Sequence, residues 1–136
     1  MASRVPAASQ FAVYGPTFLD VVMGPLDGPP VPGREAWVEG ALMCAGGAAN
    51  QAIALARLGA PVRLHSRVGV DQMGVFVDEM LAREGVDTSS CERVGDQNVT
   101  VSLSFDGDRA MTTRGTTALP LLGGDAPGCL LADVRG

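Results

Sequence analysis

The sequence contains no lysine, and its ten basic residues are all arginines. A phosphate-binding P-loop ends in Gly-Lys-Ser/Thr, so the absence of lysine excludes that motif. No two glycines are separated by a single residue, which excludes the G-x-G-x-x-G turn of a dinucleotide-binding domain. The net charge of −5 is opposite to the basic surface that nucleic acid requires, so no nucleic-acid partner is expected.

Cysteines are few and far apart. Cys44, Cys91 and Cys129 form no C-x-x-C pair, so neither a metal site nor a disulfide framework is predicted. We expect three reduced thiols in a cytoplasmic protein. Residues 1–10 lack the apolar segment of a signal peptide, and no run is long enough for a membrane span, so no membrane partner is expected.

The remaining pattern alternates strands and helices. Residues 1–10 are predicted to be a disordered N-terminus, and residues 11–136 a single α/β unit. A loop is predicted over Gly24–Gly33, which is dense in proline and glycine. Apolar runs and alternation predict strands over Phe11–Tyr14, Arg34–Leu42, Val62–Val68 and Val99–Phe105.

Two helices and one hairpin complete this pattern. Small and apolar residues at helical spacing predict a helix over Ala48–Leu58, which Gly59 ends. Asp71 can cap a second helix that runs to Glu84. Asp106-Gly107 predicts a hairpin turn with a return strand over Ala110–Thr113. The apolar face predicted for the second helix consists of Met73, Phe76, Val77, Met80 and Leu81.

The most informative stretch is Gly46-Gly47-Ala48-Ala49-Asn50. Two adjacent glycines before a helix let a ligand approach the backbone closely, because no Cβ is in the way. The helix N-terminus offers unpaired N–H groups and a positive dipole end. Asn50 adds an amide that can both donate and accept. Such an arrangement suits a small polyhydroxylated ligand.

With Ala52, Gly59 and Gly69 at fixed distances, this stretch resembles the first signature of the ribokinase-like (PfkB) carbohydrate kinase family. The resemblance extends from about Phe11 to about Gly115. It implies an α/β fold in which a parallel sheet flanked by helices carries a small β lid. It also implies that residues 11–136 are the N-terminal portion of such a domain, with lid segments at about 34–42 and 99–113.

The resemblance further implies ATP-dependent phosphorylation of a sugar or a related small hydroxylated substrate, with ATP and Mg²⁺ serving the full-length parent. The family's catalytic base belongs to a Gly-Ala-Gly-Asp motif near the C-terminus, which this chain lacks. Gly123-Gly124-Asp125 is too early and lies in a proline-flanked stretch. We therefore expect no catalytic residue and no bound cofactor in this chain, and an inactive isolated chain. A homodimer through the β lid is also implied.

Four residues are the principal candidates for substrate binding. Asp20 follows Gly15 by five residues, and a carboxylate can accept hydrogen bonds from two neighbouring hydroxyls. From the residues alone a loop aspartate is the alternative, whereas the resemblance implies a substrate-binding Asp. It implies the same role for Gly46, Gly47 and Asn50.

The remaining candidates concern specificity. Phe18 stands where ribokinases proper tend to have Asn, and Ala48 where they have Lys, which disfavours ribose. Thr100 could add a hydroxyl contact from the lid. Arg114 could bind a substrate carboxylate or phosphate through two hydrogen bonds, with a solvated surface arginine as the alternative. His65 is predicted to face outward from a strand.

Two other interpretations stay open. One is a non-catalytic sugar-binding or dimerising module derived from the same fold. The other is a nucleotide-binding Rossmann domain, which the missing G-x-G disfavours. The substrate class also stays open among other sugars, keto-deoxy acids, sugar phosphates and nucleosides.

Overall fold

The structure is a computed structural model that describes residues 11–116 and 130–133. The predicted disordered residues 1–10 and the stretch Gly123-Gly124-Asp125 lie outside the described residues. The elements are β1 (Phe11–Tyr14), β2 (Thr17–Leu26), β3 (Gly40–Gly47), α1 (Ala48–Arg57), β4 (Val62–His65), β5 (Arg67–Val68), α2 (Gln72–Arg83), β6 (Glu92–Arg93), β7 (Asn98–Phe105), β8 (Asp108–Arg114) and β9 (Leu130–Asp133).

One sheet is entirely parallel. Its order is β4-β1-β9, so β1 is the central strand. Val13 of β1 pairs with Leu64 of β4, and both side chains are fully buried. The strand predicted over Phe11–Tyr14 is confirmed. Strand β9 was not predicted, because a short apolar run does not by itself distinguish a buried strand from a helix.

The strand predicted over Val62–Val68 is wrong at Ser66, where the chain breaks into β4 and β5. The buried Ser66 hydroxyl donates to the Gly15 carbonyl at 2.6 Å and lies 2.8 Å from Thr17 Oγ1. These contacts tie the break to the start of β2. Beyond the break, β5 leaves the parallel sheet and pairs with β6.

A second sheet has the order β3-β2-β7-β8. Strand β2 is antiparallel to β3 and parallel to β7, and β7 and β8 form a hairpin. Asp106 and Gly107 have φ values of 47° and 70°, as a tight hairpin turn of this hand requires. The hairpin prediction is confirmed, although β8 is longer than the predicted Ala110–Thr113 at both ends.

The strand predicted over Arg34–Leu42 is wrong for residues 34–39. Strand β3 begins at Gly40 and continues through the glycine pair to Gly47. Alternation in residues 34–39 reflects no paired strand, and Trp37 there is 87% exposed. Pairing with β2, from Thr17 opposite Gly47 to Gly24 opposite Gly40, decides where β3 lies.

The loop predicted over Gly24–Gly33 is wrong for its first three residues, because β2 continues to Leu26. Pro25 has no N–H to donate, and the register between β2 and β7 shifts between Met23 and Leu26. Such an irregularity is where a sheet accommodates proline.

Both predicted helices are confirmed. Helix α1 ends with Leu58 as its C-cap, and Gly59 follows with a φ of 82°. The side chain of Asp71 accepts a hydrogen bond from the Gly74 N–H at 2.9 Å, which caps α2 as predicted. Its buried residues are Gly74, Val77 and Leu81.

Met73 was predicted to lie in the core, and this prediction is wrong because Met73 is 40% exposed. The backbone of Gly74 lies so close to that of Gly69 that no side chain fits between them. This contact fixes which side of α2 faces the protein, and Met73 points away from it.

The core lies where α1, α2 and the two larger sheets meet. Neither helix in residues 11–116 and 130–133 combines the length and apolarity needed to cross a bilayer. The core includes Val13, Leu19, Ala45, Ala48, Ala49, Ala52, Val62, Leu64, Val68, Val77, Leu81, Val86 and Cys91.

Candidate functional site

Asp20 lies in β2, an inner strand of the second sheet. Its neighbours in register are Cys44 on β3 and Thr100 on β7. The carboxylate is half-buried, and burial raises its pKa above the ordinary value. Burial and the Asp20 charge together raise the pKa of the Cys44 thiol. Within the part of the chain that the structure describes, no side chain or backbone N–H donates a hydrogen bond to the Asp20 carboxylate.

The glycine pair ends β3 immediately beside this carboxylate. A Cβ on Gly46 would overlap the Asp20 carboxylate, and a Cβ on Gly47 would overlap the Pro16 carbonyl and the Phe18 ring. Gly47 also has a φ of 64°, which side chains rarely adopt, and it is the N-cap of α1. The space that the missing side chains leave is therefore filled by the protein's own atoms, and close approach of a ligand to this backbone stays a prediction.

A cleft of about 370 Å³ opens beside Asp20 and Phe18, and Gly46 and Gly47 are not among its lining residues. Side chains alternate along a strand, and residues in register on paired strands face the same side of the sheet. One face of β2, β7 and β8 therefore lines the cleft, together with one residue of α1. The lining residues are Phe18, Asp20, Val22, Asn50, Thr100, Ser102, Arg109 and Met111.

Four predicted site residues thus meet in one cleft. Phe18 and Asp20 come from β2, Thr100 from β7 and Asn50 from the first turn of α1. Thr100 and Thr113 have hydroxyl oxygens 3.0 Å apart, across the β7–β8 pair. The cleft offers a carboxylate, an amide and hydroxyls beside an aromatic ring, which is a suitable set for a small hydroxylated molecule.

Arg114 does not join this group. It is in register with Val99, whose side chain packs against the core, so Arg114 belongs to the other face of the sheet. Its guanidinium donates to the Gln97 carbonyl at 3.0 Å and lies 3.7 Å from carboxylate oxygens of Asp71 and Asp96. A ligand-binding role for Arg114 stays a prediction.

Arg109 and Ser102 line the cleft but were not predicted as site residues. Ser102 is 8% exposed and belongs to the strand whose alternation was recognised. Arg109 is the second residue of β8, one position before the predicted start of the return strand at Ala110. Extending that strand by one pair, with Arg109 opposite Ser104, would have put Arg109 on the same face as Thr113.

The remaining titratable candidates lie elsewhere. His65 stacks on Tyr14, with ring centroids 4.2 Å apart, and burial together with the charge of Arg63 lowers its pKa. Over the described ranges, no three His, Cys, Asp or Glu side chains are grouped so that they could hold a metal ion.

Comparison with known proteins gives a consistent result. Residues 38–118, more than half of the chain, match the pfkB family of carbohydrate kinases. The chain is 46% identical over 56 residues to the 2-dehydro-3-deoxygluconokinase of Bacillus subtilis (strain 168), an alignment that covers 41% of this chain and 17% of that enzyme.

Solved structures share the fold. The ribokinase of Cryptococcus neoformans var. grubii serotype A, in complex with ADP, superposes with a TM-score of 0.63 at 31% identity, over 78% of this chain and 34% of that one. The fructokinase of Xylella fastidiosa superposes with a TM-score of 0.63 at 27% identity, over 79% of this chain and 32% of that one. The chain therefore has a ribokinase-like fold and spans about a third of the length of these solved relatives.

Proposed function

Because the chain belongs to the pfkB family of carbohydrate kinases, we propose that the protein phosphorylates a hydroxyl group of a sugar or related small hydroxylated substrate, with ATP as the phosphoryl donor. In this proposal the described residues supply the substrate-binding side of the site and the lid over it. The catalytic base and the ATP site lie outside this chain.

The observation that carries the proposal is the state of the Asp20 carboxylate. It is half-buried and lines a cleft, yet it accepts no hydrogen bond from the described residues. No fully buried side-chain oxygen lacks a partner in the described residues, so the Asp20 carboxylate is accessible from the cleft and can exchange water for the hydroxyls of a ligand. Two neighbouring sugar hydroxyls would satisfy both oxygens of the carboxylate.

The other candidates add to this site. Asn50 lines the cleft from the start of α1, where its amide can donate to one hydroxyl and accept from another. Gly46 and Gly47 leave room for the Asp20 carboxylate and the Phe18 ring. In the proposal these glycines allow the binding groups to take their present positions.

The β3-β2-β7-β8 sheet serves as the lid in this proposal. One face lines the cleft, and a sheet of this kind can exclude water from a phosphoryl transfer. Exclusion of water prevents hydrolysis and strengthens polar contacts to the substrate. This sheet includes β2 and the glycine end of β3, which the predicted lid segments 34–42 and 99–113 leave out, and it does not include residues 34–39.

ATP and Mg²⁺ are proposed for the whole protein and not for this chain. No group of three or more His, Cys, Asp or Glu side chains that could hold a metal ion occurs in the residues that the structure describes, and no step is derived through Mg²⁺. We accordingly propose that the isolated chain is inactive. ATP turnover above background by the pure 136-residue chain would contradict this.

The test is Asp20→Asn in the full-length protein, assayed against neutral sugars, sugar acids, sugar phosphates and nucleosides. Loss of a charged hydrogen-bond acceptor should weaken substrate binding about tenfold to a hundredfold, while ATP affinity stays unchanged. Asp27→Asn is the matched control, because Asp27 is exposed in the segment between β2 and β3. Unchanged substrate affinity in Asp20→Asn would remove Asp20 from the site.

The same assay distinguishes a carbohydrate kinase from a non-catalytic sugar-binding module. Asp20-dependent sugar binding with ATP-dependent phosphorylation supports the kinase. Asp20-dependent binding without phosphorylation of any substrate would instead support the non-catalytic sugar-binding module.

We propose further that the lid pairs two copies of the protein. On the face of the sheet opposite the cleft, Leu19 and Ala45 belong to the core, whereas Met23 (38%), Met43 (51%) and Val101 (38%) are exposed. An exposed apolar face of this kind is typical of an interaction surface. Met43→Glu should shift the protein to monomers in size-exclusion chromatography with light scattering, and a wild-type protein that is already monomeric at micromolar concentration would contradict the proposal.

A further inference from the structure

Arg109 brings a positive charge to the cleft that holds Asp20 and Asn50. It lies on β8 opposite Ser104, two residues from Met111, which also lines the cleft. The residues along this face therefore run from a carboxylate at Asp20 to a guanidinium at Arg109. Arg109 is exposed, so its guanidinium is accessible to an anionic group of a ligand in the cleft.

Most arginines among the described residues form ion pairs with carboxylates. Arg57, Arg63, Arg67, Arg83, Arg93 and Arg114 each form an ion pair with an acidic side chain. In residues 11–116, only Arg34 and Arg109 have no such partner. Arg34 lies beside Glu35 in the segment between β2 and β3, away from the Asp20 cleft.

The acidic residues nearest to Arg109 in sequence do not neutralise it. Arg109 also borders a second cleft at the hairpin tip, which Asp106 and Asp108 line. No ion pair joins its guanidinium to either carboxylate among the described contacts, and the Asp108 side chain instead accepts from the Arg109 backbone N–H at 2.8 Å. The guanidinium keeps its five N–H donors for another acceptor.

We infer that Arg109 binds the anionic group of a substrate whose hydroxyls are held at Asp20, so that the preferred substrate is an acidic sugar that carries a carboxylate or a phosphate ester. This inference rests on the proposed function. Asp20 repels an anion and Arg109 attracts one, so the two charges give the substrate a single orientation in the cleft. A planar guanidinium matches a carboxylate or a phosphate with two parallel hydrogen bonds.

The cleft has suitable dimensions for such a ligand. Its volume of about 370 Å³ is at the small end of ligand-binding clefts in proteins. The relative from Bacillus subtilis is named for a sugar acid, 2-dehydro-3-deoxygluconate, which makes that compound the first probe.

The experiment measures dissociation constants by calorimetry with the full-length protein. The probes are 2-dehydro-3-deoxygluconate, fructose 1-phosphate and the neutral sugar fructose. The variants are Arg109→Gln, Arg109→Lys and, as the matched control, Arg34→Gln. Thermal unfolding of each variant shows that the fold is retained.

We expect Arg109→Gln to weaken binding of the acidic probe about tenfold to a hundredfold and to change fructose binding less than twofold. Arg109→Lys should recover part of the loss, because the charge remains without the planar fork. Arg34→Gln should leave both affinities within a factor of two. The probe that shows the Arg109 dependence identifies the anion as carboxylate or phosphate.

Four results would overturn the inference. Equal weakening of acidic and neutral probes by Arg109→Gln would mean that the residue supports the lid and selects no anion. Unchanged affinity for every acidic probe would remove Arg109 from the site. Fructose binding that depends on Asp20, without binding of either acidic probe, would refute the acidic-sugar inference and leave the proposed function intact. If no probe in the panel binds in an Asp20-dependent manner, both fail.

Discussion

The carboxylate of Asp20 occupies the space that a Cβ on Gly46 would need. The two residues belong to neighbouring antiparallel strands, β2 and β3, and Gly46 lies two residues from the register partner of Asp20. The absence of a side chain at Gly46 is therefore what allows Asp20 to be half-buried beside the cleft. This relationship links the glycine pair to the carboxylate that the proposed function requires.

Gly46→Ala should therefore impair substrate binding through Asp20. The added methyl group would force the carboxylate out of its present position, and we expect substrate affinity to fall about tenfold or more because a charged hydrogen bond is lost or misaligned. Calorimetric titration of the full-length protein with its best substrate measures this.

Gly28→Ala is the control for Gly46→Ala, because a Cβ at Gly28 would meet no atom within 4 Å. It should bind substrate within a factor of two of wild type. Wild-type affinity in Gly46→Ala would show that Asp20 can move aside without consequence for the site.

Asp20→Asn should stabilise the substrate-free protein at neutral pH. Burial raises the pKa of Asp20 in the folded state, so the folded protein holds this proton more tightly than the unfolded chain. The stability contribution is then lost as pH rises through the pKa, and the ionised carboxylate disfavours folding at pH 7. Asparagine removes that charge.

Thermal unfolding of wild type and Asp20→Asn at about pH 7 and about pH 3 tests whether the substitution raises or lowers stability. The midpoint of the variant should exceed that of wild type at pH 7, and the difference should shrink in acid, where Asp20 is protonated in both states. A variant less stable than wild type at pH 7 would indicate a favourable partner for the carboxylate and would contradict the reading of Asp20 as an unpartnered ligand group.

In Gly74→Ala, a gain in helix propensity is opposed by a steric clash with a neighbouring backbone. Alanine favours a helix interior by about 1 kcal/mol over glycine, but a Cβ at Gly74 would fall well inside the 3.0 Å that real Cβ atoms keep from the Gly69 backbone. Overpacking of this kind costs about 1–3 kcal/mol, and a backbone carbonyl cannot rotate away as a side chain does. We expect a net loss in the free energy of unfolding.

Urea denaturation of Gly74→Ala measures this loss. Val75→Ala on the same helix is the control, because Val75 is 54% exposed and its replacement should change stability by less than about 0.5 kcal/mol. A stabilised Gly74→Ala protein would show that α2 can move away from Gly69 at little cost.

Gln97→Leu should be strongly destabilising. Gln97 is 1% exposed, and its amide accepts from the Gly69 N–H at 2.9 Å and donates to the Thr17 carbonyl at 3.0 Å. Leucine would leave both backbone groups buried and unpaired, at about 1–3 kcal/mol for each.

The measurement for Gln97→Leu is again the free energy of unfolding. Gln72→Leu is the control at an exposed position of α2 and should lie within about 0.5 kcal/mol of wild type. A small effect of Gln97→Leu would imply that water or a local shift replaces the amide.

The sequence alone was sufficient for the elements that carry local signals. Both helices, their caps at Asp71 and Gly59, and the Asp106-Gly107 turn follow from spacing and from residues with special backbone requirements. The spacing of the glycine pair and Asn50 was specific enough to indicate the family that residues 38–118 match.

The tertiary structure decided what depends on pairing between distant strands. Alternation in residues 34–39 predicted a strand that does not exist, whereas β3 is defined by its register with β2. The same register puts Arg109 in the cleft and Arg114 on the opposite face, five residues apart in one strand. The alternation of side chains along a strand is visible in the sequence. Which of the two faces meets the cleft is decided by the assembly of β2, β7 and β8 over α1, because the other face packs against the core.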